Sequence, residues 1–296
     1  MLSEKQIILK SKLYFKLFES ALEDMKNIKY AIIKGDALSI LAYNRPGARY
    51  FNDIDILIDK DNLEYLKKIL KKHGFEKIND SRYNDVFFSS YSHQLIPYVK
   101  DIDGFKVYID VNFDIFWGEY EGNRININEF LSDTQTINIY DNEIKTLSTI
   151  KSIIQLILHH YKDMNSIYLL SMHKSINILM FKDLYYLIKN HKSEITPRYL
   201  YDMCQYYDIL PYAYCVLYYT YEVFNEDSFI KEYVDVLFNN EGHRLLNYYG
   251  LCNAERKVWK VDFKTRVQSN DIFSLIKNDL TDKDLLKIEL NNKCFI

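Results

Sequence analysis

The apolar residues of this chain change period near Thr146, and that change limits the folds open to it. Before Thr146, short alternating or continuous apolar runs are punctuated by glycine. After it, apolar residues recur at three- and four-residue intervals almost to the end. A mixed segment of helices and strands followed by a helical one reads as an α+β chain. The boundary falls near 145, giving expected domains of residues 1–145 and 146–296, the second all-helical.

Residues 4–26 place Ile8, Leu9, Leu13, Leu17, Phe18 and Leu22 at helical spacing and read as a first helix. "IKYAIIKG" (28–35) reads as a buried strand ending at a glycine. "DALSILAYN" reads as a short helix with Asp36 in the N-cap role. The loop "RPGA" leads to the strand "DIDILI" (53–58). A helix follows that Gly74 closes, and its lysines 67, 68, 71 and 72 form a solvated face. "SHQLIPYVK" and "FKVYIDVNFDIF" then flank Asp103-Gly104, a two-residue hairpin signal. A further hairpin is expected in "QTINIYDNEIKTLS", turning at Asp141-Asn142. In the helical half, Pro197 and Pro211 stand where helices begin.

Composition removes some function classes. A formal net charge of −3 exerts no global pull on nucleic acid. The 27 Tyr and 17 Phe, in a chain also rich in Ile, Lys and Asn, fit an A/T-rich bacterial genome better than a stacking platform. Cys204, Cys215, Cys252 and Cys294 are scattered without CxxC spacing, so a reduced, cytoplasmic setting is expected rather than a zinc site or disulfide framework. The opening "MLSEKQIILKSK" carries charges on both sides of a short apolar stretch, unlike a signal peptide. No run of about 18 uncharged apolar residues suggests a membrane span, so no membrane partner is expected.

Chemistry concentrates in the first half. Asp53 and Asp55 flank Ile54 in an otherwise apolar strand, so both carboxylates project from one face. Burying even a neutral polar group without a partner costs about 2–7 kcal/mol, and burying two like charges costs more, unless something pairs them. Asp110 lies in a second strand, where Tyr108, Asp110, Asn112 and Asp114 share a face. Three carboxylates from two strands can share divalent cations, and two such ions stabilise both oxygens of a phosphoryl displacement. Mg²⁺ takes oxygen ligands of this kind. The strand ending at Lys34-Gly35 leads into a helix whose N–H groups can face an anion. On a bland reading, Lys34 is a surface lysine and Arg49 the ion-pair partner of a loop.

The ordered set resembles the polymerase-beta-like nucleotidyltransferase superfold, and within it the bacterial uncharacterised nucleotidyltransferase family. The matching residues are Lys34-Gly35, Arg49 with Asp53-Ile-Asp55, Gly74-Phe75, His93, Asp110 and "LILHHYKD" (156–163), over roughly residues 28–190. The resemblance implies a mixed sheet and an all-helical C-terminal domain. It implies Asp53, Asp55 and Asp110 as catalytic and Mg²⁺ (or Mn²⁺) ligands, Asp110 serving as general base. Lys34, Gly35, Arg49 and His93 would contact the nucleotide. The implied reaction moves a nucleoside monophosphate from an NTP, ATP by preference, to a hydroxyl, with release of pyrophosphate. The acceptor could be a small molecule, which is favoured, or a protein or RNA. Two residues depart from the pattern: Asp36 follows Gly35 where a small or hydroxyl residue is usual, and Asn112 stands where a histidine is expected. They support an alternative, a catalytically degenerate nucleotide-binding or interaction module. His159 and His160, adjacent on a helix, point about 100° apart.

Overall fold

The computed structural model describes residues 3–78, 92–115 and 125–295. Helix α1 (Glu4–Met25) starts at a capping box, in which the Gln6 N–H donates to Ser3 Oγ and the Ser3 N–H to Gln6 Oε1. Its buried residues Tyr14, Phe15, Phe18, Leu22 and Met25 recur at helical spacing. Strand β1 (Tyr30–Ile33), helix α2 (Gly35–Tyr43), strand β2 (Asp53–Ile58) and helix α3 (Leu63–Lys72) follow. Gly74, at φ +78°, ends α3 in the left-handed conformation expected of it. On the α3 surface Lys67 pairs with Glu64 and Lys72 with Asp24.

Strands β3 (Glu76–Lys77), β4 (Tyr98–Ile102) and β5 (Phe105–Asn112) complete a sheet of order β1-β2-β5-β4-β3. The β4–β5 turn is Asp103-Gly104, with φ of +52° and +86°, the geometry this dipeptide favours. Among the described strands of this sheet only β2 and β5 run parallel, in a register that sets Asp55 opposite Asp110 and Asp53 opposite Tyr108. The sheet is therefore mixed, and its parallel pair is reached by a long crossover that includes α3. Ile54, Ile56 and Ile58 of β2, with Ile109 and Val111 of β5, join residues of α1 and α3 in one core. The period of two sends the carboxylates to the other face.

Helix α4 (Ile127–Phe130) precedes a hairpin of β6 (Thr134–Ile139) and β7 (Asn142–Leu147). Its turn is one residue earlier than expected. Ile139 pairs with Asn142, leaving Tyr140 and Asp141 in the loop, with Tyr140 at φ +52°. Contacts with α1 hold it there: the Tyr140 hydroxyl donates to the Ile8 carbonyl at 3.4 Å, and Lys12 lies over its ring. Thr146 Oγ1 donates to the Ile32 carbonyl and so ties β7 beside β1.

The described residues divide into two compact units, one up to Ser152 and one from Ile153 on. The second contains most of α5 (Thr149–Asn165), then α6 (Ile167–Leu170), α7 (Ile178–Asn190), α8 (Pro197–Tyr206), α9 (Leu210–Val223) and α10 (Ser228–Leu237). Pro197 is in the first turn of α8 and Pro211 in that of α9. Helices α11 (Asn240–Leu245), α12 (Phe263–Gln268), α13 (Phe273–Ile276) and α14 (Asp282–Phe295) complete it. This unit is not wholly helical, because β8 (Tyr248–Tyr249) pairs with β9 (Lys257–Val258). Gly250 makes that ribbon possible: at φ +97°, a Cβ on it would lie 2.5 Å from the Glu255 carbonyl oxygen. Strands of two residues are too short for alternation to reveal. Cys204, Cys215 and Cys252 are free thiols, and Cys294 lies outside the described side chains. No described helix is long and apolar enough to cross a membrane.

Candidate functional site

Parallel pairing of β2 and β5 brings the three aspartates onto one sheet face, Asp55 and Asp110 side by side and Asp53 one pleat away. Asp55 is 6 % exposed, and one oxygen, Oδ1, meets Lys34 Nζ at 3.1 Å. Asn112, also buried, points its amide toward the same oxygen at 3.5 Å. Burial, then repulsion by Asp55, pushes the Asp53 carboxyl above its ordinary range, against the pull of Lys34, Arg49 and Lys10. Asp110 is pushed up as well, by burial first and then by Asp55 and Asp53, with Lys34 opposing. Three carboxylates at this spacing have too little positive charge among them to ionise together freely.

The Lys34-Gly35 turn places the start of α2 against this group. Lys34 is the N-cap, at φ +57° and ψ −148°, and Gly35 follows at φ +45°. Such angles suit glycine, so Lys34 holds a strained backbone of the kind found at functional positions. At Gly35 a Cβ would meet the Phe51 ring at 3.7 Å and the Asp53 carbonyl at 3.9 Å. Those are ordinary contacts, so conformation rather than space calls for glycine there.

Asp36 does not cap α2, contrary to expectation. It is 1 % exposed, accepting from the Gly47 N–H at 2.7 Å and from the Ser11 hydroxyl. Its carboxyl thus fastens the loop after α2 to α1, and leaves the α2 N-terminus unopposed by a capping carboxylate. Burial pushes its pKa up to about 6, against the Gly47 hydrogen bond and the Arg49 charge. The loop fits because Gly47 has no side chain; a Cβ would sit 2.7 Å from Ile8.

The Arg49 charge acts on both Asp36 and Asp53. His93 lies on a segment that extends the β4–β5 pairing, its carbonyl accepting from the N–H groups of Phe113 and Asp114. That sets its backbone beside a point about 10 Å along β5 from Asp110. In the helical unit, His159 Nε2 meets Asp163 at 3.3 Å, while His160 and Asp183 are buried. Two residues of α1 escaped sequence reasoning. Lys10 Nζ donates to the Phe51 carbonyl, Asn52 Oδ1 and Tyr50 hydroxyl, and Tyr14 reaches the Asn52 and Lys106 carbonyls. Within an amphipathic helix one reads as an ordinary surface lysine and the other as a core aromatic, so the sequence carries no signal for either.

The donor set suits a hard divalent cation in kind, since Asp53, Asp55 and Asp110 offer oxygen alone. As arranged, no three His, Cys, Asp or Glu side chains among the described residues close on one metal-sized point. The Lys34 ammonium takes one Asp55 oxygen in their midst.

A family model described as uncharacterised nucleotidyltransferase matches residues 14–225. No curated protein matches the chain. The crystal structure of an antigenic nucleotidyltransferase-like protein from Paracoccidioides brasiliensis is similar at 18% sequence identity and a TM-score of 0.36. The match covers 72% of this chain and 93% of that one.

Proposed function

The chain belongs to the uncharacterised nucleotidyltransferase family, and we propose that it transfers a nucleoside monophosphate from an NTP to an acceptor hydroxyl, with Mg²⁺ as the metal. The observation that carries this reading is the register pair Asp55–Asp110, with Asp53 on the same face. These three side chains would hold Mg²⁺ or Mn²⁺, which when bound supplies charge stabilisation at the attacking and leaving oxygens. ATP is the expected NTP. The acceptor oxygen forms a bond to the α-phosphorus, the bond from that phosphorus to the bridging oxygen breaks, and pyrophosphate leaves. Asp110, whose carboxyl is pushed up by burial and by its two neighbours, takes the hydroxyl proton. Lys34 and Arg49 offset phosphate charge, Arg49 with a fork that can bind two oxygens. The N–H groups at the start of α2 face the same anion. His93 is a further nucleotide contact if its side chain turns toward Asp110. A small-molecule acceptor is favoured over RNA, because a net charge of −3 provides little for a phosphate backbone; a protein acceptor is the other candidate.

One observation favours a second reading, a nucleotide-binding module without turnover. The Lys34–Asp55 ion pair holds a cation where a metal would need that oxygen. The experiment incubates the protein with Mg²⁺ and each labelled NTP, with and without a panel of hydroxyl acceptors. Pyrophosphate release that disappears in Asp53→Ala and Asp110→Ala supports transfer. NTP binding without release across the panel supports the module. Equal metal and NTP affinity in wild type and Asp55→Ala overturns the metal site.

A further inference from the structure

Tyr14 lies behind the carboxylates, on the helix face of the sheet, 2 % exposed. Its hydroxyl is 2.9 Å from the Asn52 carbonyl and 3.1 Å from the Lys106 carbonyl. Asn52 immediately precedes β2, and Lys106 is in the first turn of pleat of β5. The ring repeats this two-sided arrangement. It meets Phe51 and Phe105 edge-on, each at 5.7 Å and 82°, and these residues directly precede Asn52 and Lys106. One side chain therefore grips adjoining points on two parallel strands that are distant in sequence. Lys10, 5.1 Å from the Tyr14 ring centre, holds the Phe51 carbonyl and the Asn52 side chain on the β2 side.

From this geometry we infer that Tyr14 is a positioning residue, whose hydroxyl fixes the relative placement of β2 and β5 and hence of Asp53 and Asp55 against Asp110. Parallel strands have no short turn to set their register. The ladder between β2 and β5 begins at Asp53 and Tyr108, so the Tyr14 grip lies at its entrance. Carboxylates that act together on one phosphate centre need placement to within about 0.5 Å. A shared hydroxyl bridge at the strand entrances gives that precision without touching substrate. The inference rests on the nucleotidyl-transfer reading for its catalytic consequence, but the strand placement itself can be measured without nucleotide.

The test compares full-length wild type, Tyr14→Phe, and the chain carrying 4-aminophenylalanine at position 14, which keeps a donor at the ring tip. Loss of a hydrogen bond of this kind is worth about a tenfold change. Tyr14→Phe should therefore speed amide hydrogen exchange about tenfold in both 51–57 and 105–111, with the 134–147 hairpin unchanged. In the pyrophosphate assay kcat should fall about tenfold while KM for the NTP stays within about twofold. The 4-aminophenylalanine chain should recover both. Unchanged exchange at either strand overturns the inference, and so does faster exchange with wild-type kcat. Should Tyr14→Phe not fold, 4-fluorophenylalanine fills the hydroxyl's space without donating and faces the same criteria. A wild type that neither binds nor turns over any NTP overturns the transfer reading instead, and the exchange measurement then decides the strand clamp by itself.

Discussion

Arg266, in the helical unit, is 5 % exposed, yet its guanidinium donates to the Tyr219 hydroxyl at 3.0 Å and lies 4.6 Å from the centre of the Trp259 ring. Asp284 in the same unit meets Lys257 at 2.8 Å and accepts from Thr281 twice. Burial alone would push its carboxyl up, but these partners outweigh it and hold the pKa low. The sheet unit treats buried charge differently. There Asp53, Asp55 and Asp110 crowd one face, Lys34 is paired with Asp55, and both Asp53 and Asp110 are pushed up. At Arg266 and Asp284 the partners are built in. At Asp53 and Asp110 they are not, and perturbed groups of that kind cluster at functional sites.

The contrast can be broken most sharply at Asp110. Asp110→Asn is expected to lower pyrophosphate release by about 10³-fold. The same change should raise the melting temperature at pH 7.5, because it removes a carboxyl whose ionisation the folded site opposes, its pKa pushed up to about 8 by burial and by Asp55 and Asp53. A thermal melt beside the assay checks both signs, and a variant that loses activity and stability together would place Asp110 with Asp284. In the helical unit the sign reverses. Arg266→Ala should cost about 3 kcal/mol in a urea titration, whereas Arg266→Met, which keeps most of the volume, should cost clearly less.

Asp36 sharpens the comparison in a pH series. Its folded pKa of about 6 is above the ordinary value for an aspartate, so the protonated form is the one folding favours. That contribution, at most about 3 kcal/mol, is fully present below about pH 4 and is lost as pH rises through 6. Asp36→Asn can keep the Gly47 hydrogen bond without a charge. It should flatten stability between pH 4 and 6.5 and leave the chain at least as stable as wild type at pH 7.5. The smallest effect belongs to Lys34. Lys34→Gly and Lys34→Met both remove the ammonium, but only glycine relaxes the φ of +57°. Lys34→Gly should be the more stable of the two by about 1 kcal/mol, read from urea midpoints.

Local chemistry was legible in the sequence. Alternation and flanking turns exposed the β2 strand with its two aspartates, and Asp103-Gly104 and Gly74 declared their own backbone angles. Long-range contacts were not. Tyr140 takes a turn position because α1 holds its ring, although tyrosine has no preference for positive φ. Asp36 looked like a helix cap because its true partners, Ser11 and Gly47, are distant in sequence and ordinary in type. The same holds for Tyr14 and Lys10. The carboxylates could be found from the strands that bear them, but not the residues that hold those strands.

The parallel pairing of β2 with β5 also has a kinetic meaning. The β4–β5 hairpin closes across two residues and can form early, as can α3 and its glycine stop. Asp55 and Asp110 meet only after the chain has run through α3 and back across the sheet, a closure that must be made before its contacts reward it. A chain caught short of that step would hold most of its secondary structure and none of its carboxylate cluster. On the proposed reading, recovery of Mg²⁺-dependent nucleotide binding in a refolding experiment would therefore lag the recovery of helix, and would time the β2–β5 pairing rather than the collapse.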